Sequence, residues 1–142
     1  MRAIHLIRVT LAVSLLTAGW AAAQPQRPGM WEFSTQVKMP GMSLPPQTTR
    51  QCLTAQDVAE RKQFSPQSED VKCSMSNFQQ QGNQVSYEFS CKTKEGTMTG
   101  NAKGTSTADT VAMEMTVRLS PPIEGMAQMT QSTTGKRVGD CR

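Results

Sequence analysis

The chain has 142 residues, of which 37% are apolar, 5% aromatic and 18% charged, with four cysteines and a formal net charge of +4. That length suits one domain with a modest core. Its only histidine is His5, inside a segment with the features of an export signal, so Ser-His-Asp, Cys-His and imidazole-zinc chemistry are not expected of the exported chain.

Residues 1–23 carry Arg2 and Arg8, an apolar run through Val9, Leu11, Val13, Leu15 and Leu16, and the close Ala21-Ala22-Ala23. This pattern predicts a secretory signal peptide with an Ala-x-Ala cleavage site. Its apolar stretch is short for a membrane span, and no cysteine stands after it to take a lipid. Cleavage would leave residues 24–142 as a single disulfide-stabilised β domain, with 13 basic against 11 acidic residues and no transmembrane anchor. The expected location is periplasmic or secreted.

Beyond residue 23, period-two alternation dominates the chain. Trp31, Phe33, Thr35, Val37 and Met39 alternate with Glu32, Ser34, Gln36 and Lys38, predicting a strand with one dry and one wet face. Pro40-Gly41 ends it and Pro45-Pro46 delays the next element. Thr48 to Leu53 reads as a more polar strand. Thr54 then caps a short helix at about 55–62, with Asp57 in the capping-box position and Arg61 four residues on. Lys72–Gln79 and Val85–Lys92 flank Gln81-Gly82-Asn83 as a hairpin, with Val85, Tyr87, Phe89 and Cys91 on one face. Thr97–Thr105 is a weaker strand whose Gly100 and Gly104 imply bending or close approach. Val111, Met113, Met115, Val117 and Leu119 form a strong inward face. Pro121-Pro122 and Gly125 break it before a last polar strand over Met126–Thr134. The sum is mainly β: an antiparallel meander of about seven strands, curled into a sandwich or open barrel, with one short helix.

Four cysteines in an exported chain are expected to form disulfides. Cys52, Cys73, Cys91 and Cys141 are separated by 21, 18 and 50 residues, with no Cys-x-x-Cys, so a zinc ribbon or redox motif is not expected. The hairpin makes neighbours of Cys73 and Cys91. A three-residue loop at 81–83 pairs them directly, whereas a two-residue loop at 82–83 puts them on opposite faces. This favours Cys73–Cys91 with Cys52–Cys141, the alternative being Cys52–Cys73 with Cys91–Cys141.

Catalytic motifs are missing. Gly135-Lys136-Arg137 fails the phosphate-loop pattern at Thr130 and Arg137, and neither Gly-x-Ser-x-Gly nor Ser-x-x-Lys occurs. Glu88 and Glu114 fall on predicted outer faces. Lys92, Lys94 and Lys103 lack the interleaved aromatics of a nucleic-acid surface. No catalytic residue, cofactor or nucleic-acid partner is expected. Methionine is the unusual component, with nine beyond the signal. Met113-x-Met115 puts two thioethers on one face, and Met126, Met129 and the Met39-Pro-Gly-Met42 turn would supply more. Thioethers are soft ligands that select Cu(I); the competing reading is that methionine fills an irregular core poor in Leu, Ile and Phe.

The ordered set Pro28-Gly-Met-Trp-Glu32, Met39-Pro-Gly-Met42, Gln51-Cys-Leu-Thr54, Cys73, Gly82-Asn83, Cys91, Met98-Thr-Gly100 and Gly135-Lys-Arg-Val-Gly-Asp-Cys141 resembles a bacterial exported family known as domain of unknown function 3617. Gln81 stands where that pattern has aspartate. The resemblance implies a small secreted or periplasmic domain with a cysteine framework, and carries over no catalytic residue. The function expected is therefore non-catalytic: binding of a small apolar ligand or of an envelope protein. The alternative is a methionine-based Cu(I)-binding or oxidant-scavenging envelope protein that uses Met113, Met115, Met126 and Met129.

Overall fold

A computed structural model describes residues 25–64 and 69–142; the expected signal peptide, residues 1–23, lies outside the described residues. Eight strands form one antiparallel sheet: β1 (Gly29–Met39), β2 (Met42–Ser43), β3 (Gln47–Leu53), β4 (Lys72–Gln81), β5 (Gln84–Thr93), β6 (Gly96–Ser106), β7 (Thr110–Ile123) and β8 (Met126–Gly139). One short helix, α1 (Ala55–Ala59), and a 3-10 turn at Lys62–Phe64 join β3 to β4. The sheet runs β2-β1-β8-β7-β6-β5-β4, with β3 sharing the β2 edge of β1. Strands β4 to β8 are a simple meander, and β1 then docks on the last strand. The sheet does not close, because β3 and β4 do not pair. The strand beyond the expected seven is the two-residue β2, which the Pro40-Gly41 turn folds back onto the end of β1.

Alternation sorts the side chains. Trp31, Val85, Tyr87, Ala102, Val111 and Met113 make the buried cluster on the inner face, with Leu53 at its edge. The outer face is Ser, Thr and charge. There Glu32 accepts from Arg50 at 2.9 Å and lies 3.6 Å from Lys136. The Arg50 hydrogen bond, helped by Lys136, holds its carboxyl below the usual glutamate range.

Close packing of the inner face depends on glycines. A Cβ on Gly100 would stand 2.0 Å from the Thr116 carbonyl oxygen and 2.8 Å from the Phe89 ring; one on Gly104 would meet the Ala112 carbonyl oxygen at 1.9 Å. The space above Gly100 is thus occupied by Phe89, not left open for a ligand.

The β4–β5 hairpin turns on two residues, Gly82 and Asn83, since Gln81 pairs with Gln84. That loop alone would put Cys73 and Cys91 on opposite faces. A one-residue bulge between Ser76 and Gln79, with Asn77 at φ 51°, shifts the register back so that Cys73 stands opposite Cys91. The structure pairs Cys73 with Cys91 and Cys52 with Cys141.

The helix is shorter than 55–62. Thr54 and Asp57 form the reciprocal capping box, the Asp57 amide donating to Thr54 Oγ1 and the Thr54 amide to the Asp57 carboxylate. These bonds, the Thr54 amide first, pull the Asp57 carboxyl down to about 2. The chain leaves helical geometry at Arg61, φ 55°, so the partner of Asp57 is Lys62 at 3.1 Å. Arg61 lies instead over the Phe78 ring, 4.0 Å from its centre.

Candidate functional site

The two ends of the sheet differ. At one end the N-terminal segment, the end of β3 and the chain's close converge. The Arg27 amide donates to the Ala108 carbonyl at 2.8 Å, and its guanidinium to Asp109 at 2.8 Å. Trp31 Nε1 donates to the Arg27 carbonyl at 3.0 Å. Arg137 Nε donates to the Pro28 carbonyl at 2.7 Å. The Cys52–Cys141 disulfide fastens β3 to the residues after β8. Trp31 and Leu53, both fully buried, lie under this clasp.

The opposite end is a rim made by three turns: Pro40-Gly41, Lys94-Glu95 and Glu124-Gly125. Three of the most exposed large apolar side chains sit at or beside it, Met42 at 57%, Leu44 at 39% and Ile123 at 41%. A groove of about 320 Å³ opens there. Its apolar wall includes Met98, Leu119, Pro121 and Ile123; Thr93, Thr97 and Ser120 supply polar groups, and the Lys94–Asp70 ion pair, 2.5 Å, spans its mouth. The groove follows from sequence. Met98 and Leu119 are cross-strand partners on the inner face. Beyond them Pro121-Pro122 cannot donate ladder hydrogen bonds, and β7 breaks register with β8 between Arg118 and Ile123. The irregular arm of β7 leaves Pro121 and Ile123 exposed, while Leu119 is buried.

Further in, between rim and clasp, a second space of about 40 Å³ is lined almost wholly by apolar atoms of Phe33, Phe64, Tyr87, Val111, Met113, Met115 and Thr133. Phe64, delivered by the 3-10 turn, covers it. The Tyr87 hydroxyl donates to the Phe64 carbonyl at 3.1 Å, with Met115 Sδ 3.9 Å away. The Phe64 ring packs 5.8 Å from Tyr87 and 6.2 Å from Phe78. Burial pushes the Tyr87 phenol up to about 12.

The sequence-predicted methionines separate. Met113 is buried and Met115 half-buried on β7, opposite Thr133 and Gln131. Met129 is also on the inner face, opposite Val117, whereas Met126 pairs with Ile123 beyond the register break. The four do not form one group. Lys103 stands opposite Glu114 on the outer face and Lys94 pairs with Asp70 at the rim, so the lysines are not one patch. Glu88 is on the outer face and accepts from Asn77 Nδ2 at 2.8 Å. Sequence reasoning missed the groove. Its signal was present in Pro121-Pro122 beside Leu119, but the turns that enclose it are distant in the chain.

Residues 26–141 match the family described as protein of unknown function (DUF3617). The chain belongs to that family. No curated protein and no solved structure matches it. Family membership therefore brings no activity to the DUF3617 fold, and the reading of its site rests on this sheet. Among the described residues no helix is long and apolar enough to cross a membrane.

Proposed function

We propose that this DUF3617 domain is an exported, non-catalytic binding protein whose rim groove takes a small apolar or weakly amphipathic ligand. The observation that carries the reading is the groove itself. Its volume, about 320 Å³, falls at the lower end of the ~300–1,000 Å³ usual for small-molecule sites. Val71, Met98, Leu119, Pro121 and Ile123 give it apolar surface, and Asp70, Thr93, Lys94, Glu95, Thr97 and Ser120 give it polar groups that can fix a ligand's orientation. Exposed Ile123 and half-buried Met98 give the ligand surface from which to displace water. At roughly 25 cal/mol per Å² of apolar area removed from water, burying ~200 Å² is worth about 5 kcal/mol before ordering costs.

Export and the absence of catalysis belong to the same reading. The signal-like segment 1–23 and the paired cysteines fit an oxidising compartment.

Native mass spectrometry of the mature protein, purified from its own cell envelope without detergent, tests this. A retained low-mass apolar compound released by organic solvent is the expected result. Bare protein that also fails to bind N-phenyl-1-naphthylamine, a neutral apolar fluorophore, would overturn it.

A further inference from the structure

The rim also assembles a set of side chains that the groove does not use. We infer that Met39, Met42 and Met129 form a three-thioether site for Cu(I). Met39 and Met42 are paired across the Pro40-Gly41 turn, where Gly41 adopts φ 77° and lets β2 fold directly back on β1. On the other side of β1, Lys38 stands opposite Thr130. The β1–β8 pairing ends there; Met39 and Met129 are the next residues on the two strands, and Met129 stands opposite Val117 on the inner face.

Directly opposed residues share a face, with Cβ atoms ~4.5–5.5 Å apart. Met42 and Met39 are thus direct neighbours on one face, and Met129 follows on β8 just where its pairing with β1 ends. Each methionine has three rotatable bonds with which to bring sulfur to a common centre. Met42 is 57% exposed, so an ion reaches the site from solvent. The donors are neutral and soft, which favours Cu(I) over harder divalent ions that take nitrogen or oxygen. The cation beside them, Lys38, alternates to the outer face, and the inner-face neighbours Val37, Gln131 and Val117 are uncharged.

This differs from a site built on Met113-x-Met115. Met113 is buried in the core cluster and Met115 packs against it, beneath Phe64 and Tyr87, so ion entry there would require the core to open. It also stands independently of the groove, whose lining includes none of Met39, Met42 and Met129.

The test is an anaerobic titration of the disulfide-intact protein with Cu(I), supplied as its acetonitrile complex in competition with bicinchoninate. Wild type is expected to withdraw one equivalent from the chelator. Met39→Leu, Met42→Leu and Met129→Leu are each expected to weaken binding at least about tenfold, because leucine keeps volume but has no donor. The Met113→Leu/Met115→Leu double variant is expected to bind as wild type does. Copper X-ray absorption should then show a shell of sulfur alone. Failure of wild type to compete, or unchanged affinity in Met42→Leu, would overturn the site. Met42 is too exposed for that variant to fail through misfolding. N-phenyl-1-naphthylamine binding should be the same in wild type and Met42→Leu, which separates a failure here from a failure of the groove.

Discussion

The clasped end and the rim of the sheet are built from the same strands but solve opposite problems. At the clasp, Arg27, Arg137, Trp31 and the Cys52–Cys141 bridge satisfy backbone groups and tie residues 27–31 and 137–141 over a dry core. At the rim, Met42, Leu44 and Ile123 are left to solvent although the same fold could have presented polar residues there. Of these three, Ile123 lines the groove, whereas Met42 and Leu44 lie on the far side of β1. Fully buried side chains are gathered at one end and most of the exposed large apolar ones at the other.

The largest effect expected concerns the two disulfides, one near each end. Cys52–Cys141 spans 89 residues and Cys73–Cys91 spans 18. In the chain-entropy description, removing the first by paired serine substitution costs about 4–5 kcal/mol and removing the second about 3 kcal/mol. Urea unfolding of the two double variants measures the difference; equal losses would mean that loop length does not set the worth of each bridge.

Next comes the same substitution at both ends. Leu53 is fully buried under the clasp and Leu44 is exposed beside the rim. Leu53→Ala should cost about 2–5 kcal/mol and Leu44→Ala no more than about 0.5 kcal/mol. Similar midpoints in thermal or urea denaturation would erase the distinction.

Between the ends, Tyr87 reports on the cover over the inner cavity. It is the single tyrosine of the chain, so tyrosinate absorbance reads it alone. Its phenol is raised from 10 to about 12 in the folded state. A raised value means that the folded state holds the proton more tightly. The stability so contributed is complete below pH 10 and is lost as pH rises towards 12. Native protein should ionise near pH 12 and urea-unfolded protein near pH 10. Phe64→Ala, which lifts the cover, should bring the native value back towards 10 by opening Tyr87 to water.

Most of the architecture was legible because one face of the sheet is dry. β1, β5 and β7 announce themselves by strict alternation, and Thr54 with Asp57 marks the helix start. β8 was foreshortened for the opposite reason. It extends to Gly139 and pairs on both sides, yet Gln131, Thr133 and Gly135 give its inner face no hydrophobic period, since Phe33, Val111 and Met113 on its neighbours supply the apolar bulk. The bulge at Asn77 carries neither Gly nor Pro, so the register shift that sets Cys73 opposite Cys91 has no local signature. The rim was hidden more deeply, because three turns separated by more than 25 residues each meet there only once β1 docks on β8.

The smallest structural change gives the most direct test of whether the rim binds. Ile123 and Val138 are almost equally exposed, at 41% and 43%, but Ile123 lines the groove while Val138 lies at the clasped end. Neither Ile123→Asp nor Val138→Asp should shift stability by more than about 0.5 kcal/mol. Fluorescence titration with N-phenyl-1-naphthylamine then compares wild type and the two variants. Binding at the groove predicts that Ile123→Asp weakens affinity at least about tenfold while Val138→Asp leaves it unchanged. Equal affinities in all three proteins, or a loss confined to Val138→Asp, would contradict it.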